Sequence, residues 1–234
     1  MTEPAGAAPS PPSQSPLDRL NALATVEVRL RDDLRHIEAY TPEGLLTFFW
    51  HGPADAENVM LMCGGALGGV LGPARGLYHG LATTLGSQGV GTIRVGYRRP
   101  NDVVACVHDL LAAAELTMRS GAERFVTMGH SFGGAAALQA AALLEERAVG
   151  CVTFATQSAG CEPAEGLAER VPVLLFHGDR DELLPAAASE MTRMLIGGGE
   201  LVVLPGAGHL LTEAATTLRE RLLDWVPARF ADDG

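Results

Sequence analysis

The stretch Gly129-His130-Ser131-Phe132-Gly133 decides the fold of this chain and points to its chemistry. It has the form Gly-x-Ser-x-Gly, follows an apolar run at 124–128, and precedes an alanine-rich helical pattern at 132–145. A sharp turn between a strand and a helix exposes a serine hydroxyl above a sheet and directs the next amide toward the reacting carbonyl. Both glycines suit such a turn because they have no Cβ to obstruct contact between strand and helix. The stretch therefore predicts a nucleophile, Ser131.

Bulk composition limits the class of protein. The chain has 234 residues, 47% of them hydrophobic, which suffices for one α/β domain with a substantial core. A net charge of -11 argues against nucleic acid or an anionic membrane as a partner. No apolar run approaches the roughly 20 residues of a membrane helix. All 17 basic residues are arginine, so the sequence excludes a Walker lysine, a Schiff-base lysine and a Ser–Lys dyad.

The N-terminal segment differs from the rest of the chain. Residues 1–16 contain five prolines among small and polar residues, which predicts a disordered tail before a single domain at 17–234. The segment has no basic and apolar signal pattern, so we expect a cytoplasmic protein. The cysteines show no metal-like spacing, and we expect reduced, buried thiols, no metal site and no cofactor. They are Cys63, Cys106, Cys151 and Cys161.

The hydrophobic pattern predicts a mostly parallel sheet with helices on both faces. Segments 25–30, 34–40 and 45–50 alternate in polarity and indicate an N-terminal antiparallel hairpin with a Pro-Gly turn at 41–44. Further strands are predicted at 59–62, 92–97, 125–128, 150–154, 171–176 and 201–204, and helices at 76–87, 103–120, 132–145, 186–195 and 212–230. Continuous apolar strands between helices are typical of a parallel sheet, in which functional groups collect at the carboxyl ends of the strands.

Two further strand ends carry an acid and a histidine. The strand at 171–176 leads into His177-Gly178-Asp179-Arg180-Asp181, and the strand at 201–204 leads into Pro205-Gly206-Ala207-Gly208-His209. With the Gly-x-Ser-x-Gly stretch, this gives the order nucleophile, acid, histidine. From about residue 25 to its end the chain resembles an α/β-hydrolase. The resemblance is to the small, lid-poor serine hydrolases, which include dienelactone hydrolase-like proteins and small carboxylesterases.

The resemblance implies a catalytic triad and an oxyanion hole. Ser131 is the implied nucleophile, His209 takes and returns its proton, and Asp181 holds the imidazole in one tautomer. The implied oxyanion donors are the backbone amides of Phe132 and Gly65, with Ala66 as the alternative to Gly65. In the family, the position of Cys63 is often histidine, so we expect this loop to lack one side-chain brace.

Other interpretations of the same residues remain open from the sequence. Ser131 also suits a helix N-cap, and Asp181 suits a cap for the region after it. Asp179 is a rival acid for the triad. His130 and His177 match family positions that pack near the elbow, which indicates supporting roles.

The remaining strand-end loops bear on the substrate. Arg98 and Arg99 either bind an anionic group of the substrate or, as we favour, form ion pairs with Asp102 or other nearby acids. The segment 156–170 is too short for a cap domain, and we expect one short helix near 163–169 and a shallow, open site.

These observations predict an enzyme that acts on a small-molecule acyl substrate. The expected reaction is hydrolysis of a carboxylic ester, thioester or lactone through an acyl-enzyme. Dienelactone hydrolases proper use a cysteine nucleophile, so Ser131 weakens a lactone assignment. A catalytically silent binding module and an acyltransferase with the same triad are the alternatives. Oligomeric state does not follow from the sequence.

Overall fold

The computed structural model describes residues 14–231, in which nine strands form one sheet. In chain order the strands are β1 (Ala24–Arg31), β2 (Leu34–Thr41), β3 (Gly44–His51), β4 (Asn58–Cys63), β5 (Gly91–Gly96), β6 (Arg124–His130), β7 (Ala148–Phe154), β8 (Val173–Gly178) and β9 (Glu200–Leu204). Their order across the sheet is β1-β2-β3-β5-β4-β6-β7-β8-β9.

Helices connect most of the strands. They are α1 (Pro16–Arg19), α2 (Pro73–Ser87), α3 (Val103–Met118), α4 (Phe132–Leu143), α5 (Ala187–Leu195) and α6 (Ala215–Ala231). Short 3-10 turns occupy Glu145–Arg147, Glu162–Ala164, Leu167–Glu169 and Thr212–Ala214. Among the described helices, none is both long and apolar enough to cross a membrane.

The sheet has an antiparallel part and a parallel part. β1, β2 and β3 form an antiparallel meander, which joins β5 antiparallel through β3. From β5 to β9 each neighbouring pair is parallel. The predicted fold class, a mostly parallel sheet with an N-terminal antiparallel hairpin, is confirmed.

Apolar side chains fill a core on each face of the sheet. Leu61 in β4 packs in the core that α3 and α4 cover. Met60 and Met62, its neighbours in the same strand, point into the core under α2 and α6. Successive strand residues face opposite sides, so a central strand that is covered twice must be apolar throughout. The carboxyl ends of the strands therefore remain as the place for polar groups.

Two details at the edges of the domain bear on the predictions. Most of the predicted tail, residues 1–13, lies outside the described residues, but Pro16 begins α1. This helix contacts α3, where the amide of Leu17 donates to Glu115 Oε2 at 2.7 Å. The single short helix expected near 163–169 is wrong: two 3-10 turns form instead, because Gly166 adopts a left-handed backbone (φ 73°) between them.

Candidate active site

Ser131 lies at a sharp turn between β6 and α4. Its backbone angles are φ 56° and ψ -119°, a conformation that residues with a side chain rarely adopt. Its amide donates to the carbonyl of Phe154 at the end of β7 at 2.7 Å, which ties the turn to the neighbouring strand. Ser131 accordingly makes no side-chain cap to α4. The strained turn leaves the hydroxyl at the carboxyl edge of the sheet.

Steric contacts explain why positions 129 and 133, on either side of Ser131, are glycines. A Cβ built on Gly129 would lie 1.9 Å from the carbonyl oxygen of Gly133, and one on Gly133 would lie 2.1 Å from that of Gly64. Both distances are far below any real carbon–oxygen contact, and the atoms they meet are backbone. The turn can therefore form only because strand, helix and the loop after β4 approach without side chains.

Asp181 and His209 are hydrogen bonded to each other. His209 Nδ1 lies 2.7 Å from Asp181 Oδ2, while Asp181 Oδ1 accepts from the amides of Leu183 and Leu184 at 2.8 Å each. Burial by itself would raise the pKa of the Asp181 carboxyl, but the bonds from Leu184, His209 and Leu183 outweigh burial and lower the pKa below its usual value. Asp181 is thus held as a carboxylate against the histidine.

The rival acid points elsewhere. Asp179 Oδ1 accepts from the amide of Gly206 at 2.6 Å, which links the loop after β8 to the loop after β9. Asp179 therefore shapes the two loops that carry Asp181 and His209, and only Asp181 of the two contacts the imidazole.

His177 supports the acid from the other side. Its Nε2 lies 3.1 Å from Asp181 Oδ2 and 3.0 Å from the carbonyl oxygen of Leu184. Its Nδ1 lies 2.7 Å from the hydroxyl of Ser189 in α5. Because a carbonyl only accepts, Nε2 donates to it. The supporting role predicted for His177 matches this geometry.

His130 supports the histidine loop. Its Nε2 donates to the backbone carbonyl of His209 at 3.0 Å, and the two ring centroids are 5.0 Å apart. Burial is the main cause that lowers the pKa of His130 to about 4, against which the bond to His209 acts only partly. His130 is therefore neutral at physiological pH and holds the backbone that presents His209.

Gly65 lies beside Ser131. A Cβ built on Gly65 would lie 3.7 Å from Ser131 Cβ, so the loop after β4 passes directly beside the elbow. Phe132 begins α4, and the first amides of a helix have no partner within it. Both residues predicted to supply oxyanion donors thus lie next to Ser131, and Ala66 follows Gly65 in the same cavity wall.

The loop that carries Gly65 is braced, contrary to the expectation from Cys63. Tyr78 donates its hydroxyl to the carbonyl of Cys63 at 3.0 Å, and Tyr97 donates to that of Gly64 at 3.2 Å. The Cys63 thiol itself lies 3.3 Å from the carbonyl oxygen of Gly133. Burial raises the pKa of this thiol to about 12, so it stays protonated and donates. Two tyrosines and a thiol therefore hold this loop in place.

Ser131 and His209 line one cavity of about 510 Å³. Its other walls come from the glycine-rich loop at 64–72, His130 and two residues that sequence analysis missed, Leu183 and Leu210. Those two follow Asp181 and His209 so closely that their position in the sequence was a usable signal. Among the described residues, no arginine or carboxylate belongs to the wall of this cavity. The hydroxyl of Ser131 makes no hydrogen bond to His209 among the described contacts, whereas Asp181 does.

The two arginines after β5 form internal ion pairs. Arg98 is buried, with Nε 2.6 Å from Asp109 Oδ1 and Nη1 3.0 Å from Glu43 Oε2. Arg99 pairs with Asp102 at 2.5 Å. The favoured interpretation, ion pairs with nearby acids, is therefore correct for both arginines, and the main partner of Arg98 is Asp109 in α3.

The described residues contain no cluster of His, Cys, Asp or Glu that could hold a metal ion, and all four cysteines are buried and unpaired.

Solved structures share this fold. Est1E from Butyrivibrio proteoclasticus superimposes with a TM-score of 0.69 at 17% identity and covers 86% of this chain and 100% of its own. Dienelactone hydrolase from Anabaena variabilis gives 0.69 at 20% identity, covering 87% and 98%. XC6422 from Xanthomonas campestris, an α/β serine hydrolase without a lid, gives 0.65 at 19% identity, covering 87% and 97%. At sequence identities of 17% to 20%, these superpositions show a shared fold.

Comparison of the sequence with curated proteins and with family models bears on the family of this chain. No match to a curated protein was found. The model of the dienelactone hydrolase family matches residues 90–217, more than half of the chain and the part that contains Ser131, Asp181 and His209. The chain therefore belongs to the dienelactone hydrolase family, and it is an α/β-hydrolase enzyme.

Proposed function

We propose that this enzyme hydrolyses carboxylic esters through an acyl-enzyme on Ser131, with His209 as base and Asp181 as the acid of the triad. One observation carries the proposal. The imidazole of His209, fixed by a 2.7 Å bond to a buried carboxylate, lines the same cavity as a serine held on a left-handed backbone. A base oriented by an acid beside an exposed serine is the arrangement that activates a hydroxyl nucleophile.

The contacts give each residue a step. As Ser131 Oγ attacks the ester carbonyl, Nε2 of His209 takes its proton and Asp181 stabilises the imidazolium. The oxygen that becomes negative lies toward the amides of Phe132 and of Gly65 or Ala66, each of which contributes about 3–4 kcal/mol to the transition state. His209 then protonates the leaving alkoxide. A water molecule, activated by the same histidine, releases the acid and restores Ser131.

The hydroxyl must move before attack. We infer that the Ser131 hydroxyl turns toward Nε2 of His209 when substrate binds, because catalytic hydrogen bonds are often long in the free enzyme and tighten only in the complex. The bonds on the far side of His209, to Asp181 and from His130 to its carbonyl, are already in place. His209 is thus already oriented before the Ser131 hydroxyl aligns with it.

The cavity wall indicates a neutral, apolar substrate. Its polar side chains are those of His130, Ser131 and His209, and the rest of its side chains are apolar: Ala66, Leu67, Val70, Leu71, Leu183 and Leu210. A carboxylate in this cavity would lose water and find no arginine in the wall to replace it. We infer that the enzyme prefers uncharged esters with an aliphatic or aromatic acyl group to esters that carry a second carboxylate.

A labelling experiment tests the triad. A fluorophosphonate should modify Ser131 in the wild type, as located by mass spectrometry, and should fail with Ser131→Ala, whose folding is checked by circular dichroism. Modification of a different residue, or turnover by Ser131→Ala at the wild-type rate, would refute the proposal. Products formed in the presence of added alcohol show whether acyl transfer competes with hydrolysis, because both reactions share the acyl-enzyme.

Matched esters test the substrate class. The p-nitrophenyl ester of an aliphatic acid and that of a dicarboxylic half-acid of equal length differ only in the terminal charge. We expect kcat/KM to favour the neutral ester. Leu71→Arg places a cation in the wall and should narrow that preference, while Leu143→Arg, an exposed leucine that belongs to a different surface, should not. An unchanged ratio in Leu71→Arg would contradict the inferred substrate class while leaving the triad intact.

A further inference from the structure

β1 forms an open edge of the sheet. It pairs with β2 on one side and stands first in the strand order, so no described strand pairs with its other side. All eight of its residues are exposed. An unprotected edge strand presents unpaired amides and carbonyls to which another strand can bind. Natural proteins usually block such edges, so a long open edge calls for a partner.

The sequence of this edge is symmetric about Val28. Glu27 and Arg29 flank it, followed outward by Val26 and Leu30. A twofold axis perpendicular to the sheet places one residue of an antiparallel strand pair opposite its own copy. With Val28 at that position, Glu27 faces Arg29 of the second copy twice, and Val26 faces Leu30 twice. We propose that two copies of this chain pair through β1 in this register and form a dimer with one continuous sheet.

Charge favours this register over its neighbours. Centring the pair on Glu27 would set two glutamates opposite each other. Centring it on Arg29 would set two arginines opposite each other, and its two Glu27–Arg31 pairs would lie beyond the register shift between Arg29 and Arg31. Opposite charges directly across a strand pair stabilise it, and like charges destabilise it. Of these three registers, the one centred on Val28 avoids a like-charged pair on the axis and faces Glu27 with Arg29 twice.

Arg29 is short of a partner within its own chain. Across the β1–β2 pair it stands opposite Arg35, a like charge, and among the described ion pairs it has none. Arg35 instead pairs with Glu27 at 3.4 Å. Glu27 of the second copy would supply the missing carboxylate. The dimer thus offsets a repulsion that the single chain leaves uncompensated.

An apolar face adds to the contact. Val26, Val28 and Leu30 are 45%, 46% and 50% exposed, far more than is usual for such side chains in the middle of a strand. In the dimer Val28 packs on its own copy at the twofold axis, and the flanking apolar residues lie beside this contact. The ladder with β2 shifts register between Arg29 and Arg31, which limits the regular pairing to the residues around Val28.

The molecular mass in solution, and variants in which the charges of Glu27 and Arg29 are changed, test the proposed dimer. The dimer does not depend on the proposed activity. Light scattering should give a mass near twice the 24.5 kDa of the chain. Arg29→Glu should yield a monomer that melts no lower than the wild type, because the substitution also relieves the repulsion from Arg35. Combining Glu27→Arg with Arg29→Glu restores opposite charges across the axis and should restore the dimer.

Crosslinking tests the register. Val28→Cys places two thiols opposite each other at a distance that suits a disulfide, and the four native cysteines are buried. Val26→Cys is the matched control, since its two copies would lie about 13 Å apart. Oxidation should join chains in the first variant and leave the second unjoined. A wild-type mass of one chain, a dimer that survives Arg29→Glu, or equal crosslinking of both variants would overturn the proposal.

Discussion

Oδ2 of Asp181 lies 2.7 Å from Nδ1 of His209, and the same oxygen lies 3.1 Å from Nε2 of His177. The other carboxylate oxygen accepts from the amides of Leu183 and Leu184. Four groups from three segments therefore fix one carboxylate. This explains how a buried acid keeps a low pKa, and it predicts which substitutions separate catalysis from folding.

Asp181→Asn should lower kcat by about 10⁴-fold, because an amide favours the wrong tautomer of His209. Its carbonyl can still accept from the amides of Leu183 and Leu184, but its NH2 group faces Nε2 of His177, which also donates, so the melting temperature should fall slightly. Steady-state kinetics with a p-nitrophenyl ester measures the effect. Asp179→Asn is the control and should keep kcat near the wild-type value, since Asp179 contacts Gly206 and not the histidine. The opposite ranking of the two variants would assign the acid role to Asp179.

Stability should fall as the pH drops from 7 to 5, in part because of His130. Its pKa is about 4 in the folded state against the ordinary 6.5, so in this window the unfolded chain takes up a proton that the folded chain does not. The loss for this residue is about 2 kcal/mol. Urea unfolding at both pH values should show a smaller decrease for His130→Gln than for the wild type. His51, whose pKa burial also lowers to about 4, contributes in the same direction in both proteins and cancels from the comparison.

Gly133→Ala should destabilise the fold and abolish activity. The added methyl group meets the backbone carbonyl of Gly64, which cannot move without displacing the loop that carries Gly65. We expect a loss of about 1–3 kcal/mol in the free energy of unfolding. Gly80→Ala in α2 is the control, since its methyl group meets nothing within 4 Å, and it should raise stability by about 0.5–1 kcal/mol. The free energy of unfolding of each variant is measured with denaturant. If both variants gain stability, or both lose it, this account of the elbow is wrong.

Tyr97→Phe should lower kcat more than it changes KM. Removal of the hydroxyl leaves the buried carbonyl of Gly64 without its donor, which costs about 1–3 kcal/mol and loosens the loop beside Ser131. Because the role proposed for Gly65 is to stabilise the charge of the transition state, the defect should appear in kcat. Tyr40→Phe is the control, since this tyrosine is exposed and bonds to Glu38 away from the cavity. Equal kcat in the two variants would mean that Tyr97 is not needed to position the loop.

The convergence of Ser131, Asp181 and His209 on one edge was predictable from the sequence. Each follows an apolar run, and the carboxyl ends of parallel strands meet at the same side of a sheet. Strand positions were predictable for the same reason, because buried strands leave an uninterrupted apolar signal. The unusual glycine density around Ser131 also carried information, since only close backbone contact demands it.

Contacts between side chains and distant backbone were not predictable. Tyr78 and Tyr97 reach the loop at 63–64 from a helix and from the end of a strand, and nothing in their local pattern indicates a target. Local spacing likewise pointed to Asp102 for Arg98, yet Asp109 is the partner because α3 turns it back toward β5. Such pairs depend on how elements pack, which sequence periodicity does not encode.

The loop at 181–184 orients the acid through its backbone and lines the cavity through a side chain. Main-chain N–H groups of Leu183 and Leu184 orient the acid, while the side chain of Leu183 faces the cavity. Replacing that side chain alters the room available to an acyl group without removing any donor to the carboxylate. The space open to an acyl group can therefore be changed by substitution of Leu183, two residues after Asp181, while the carboxylate keeps its orientation.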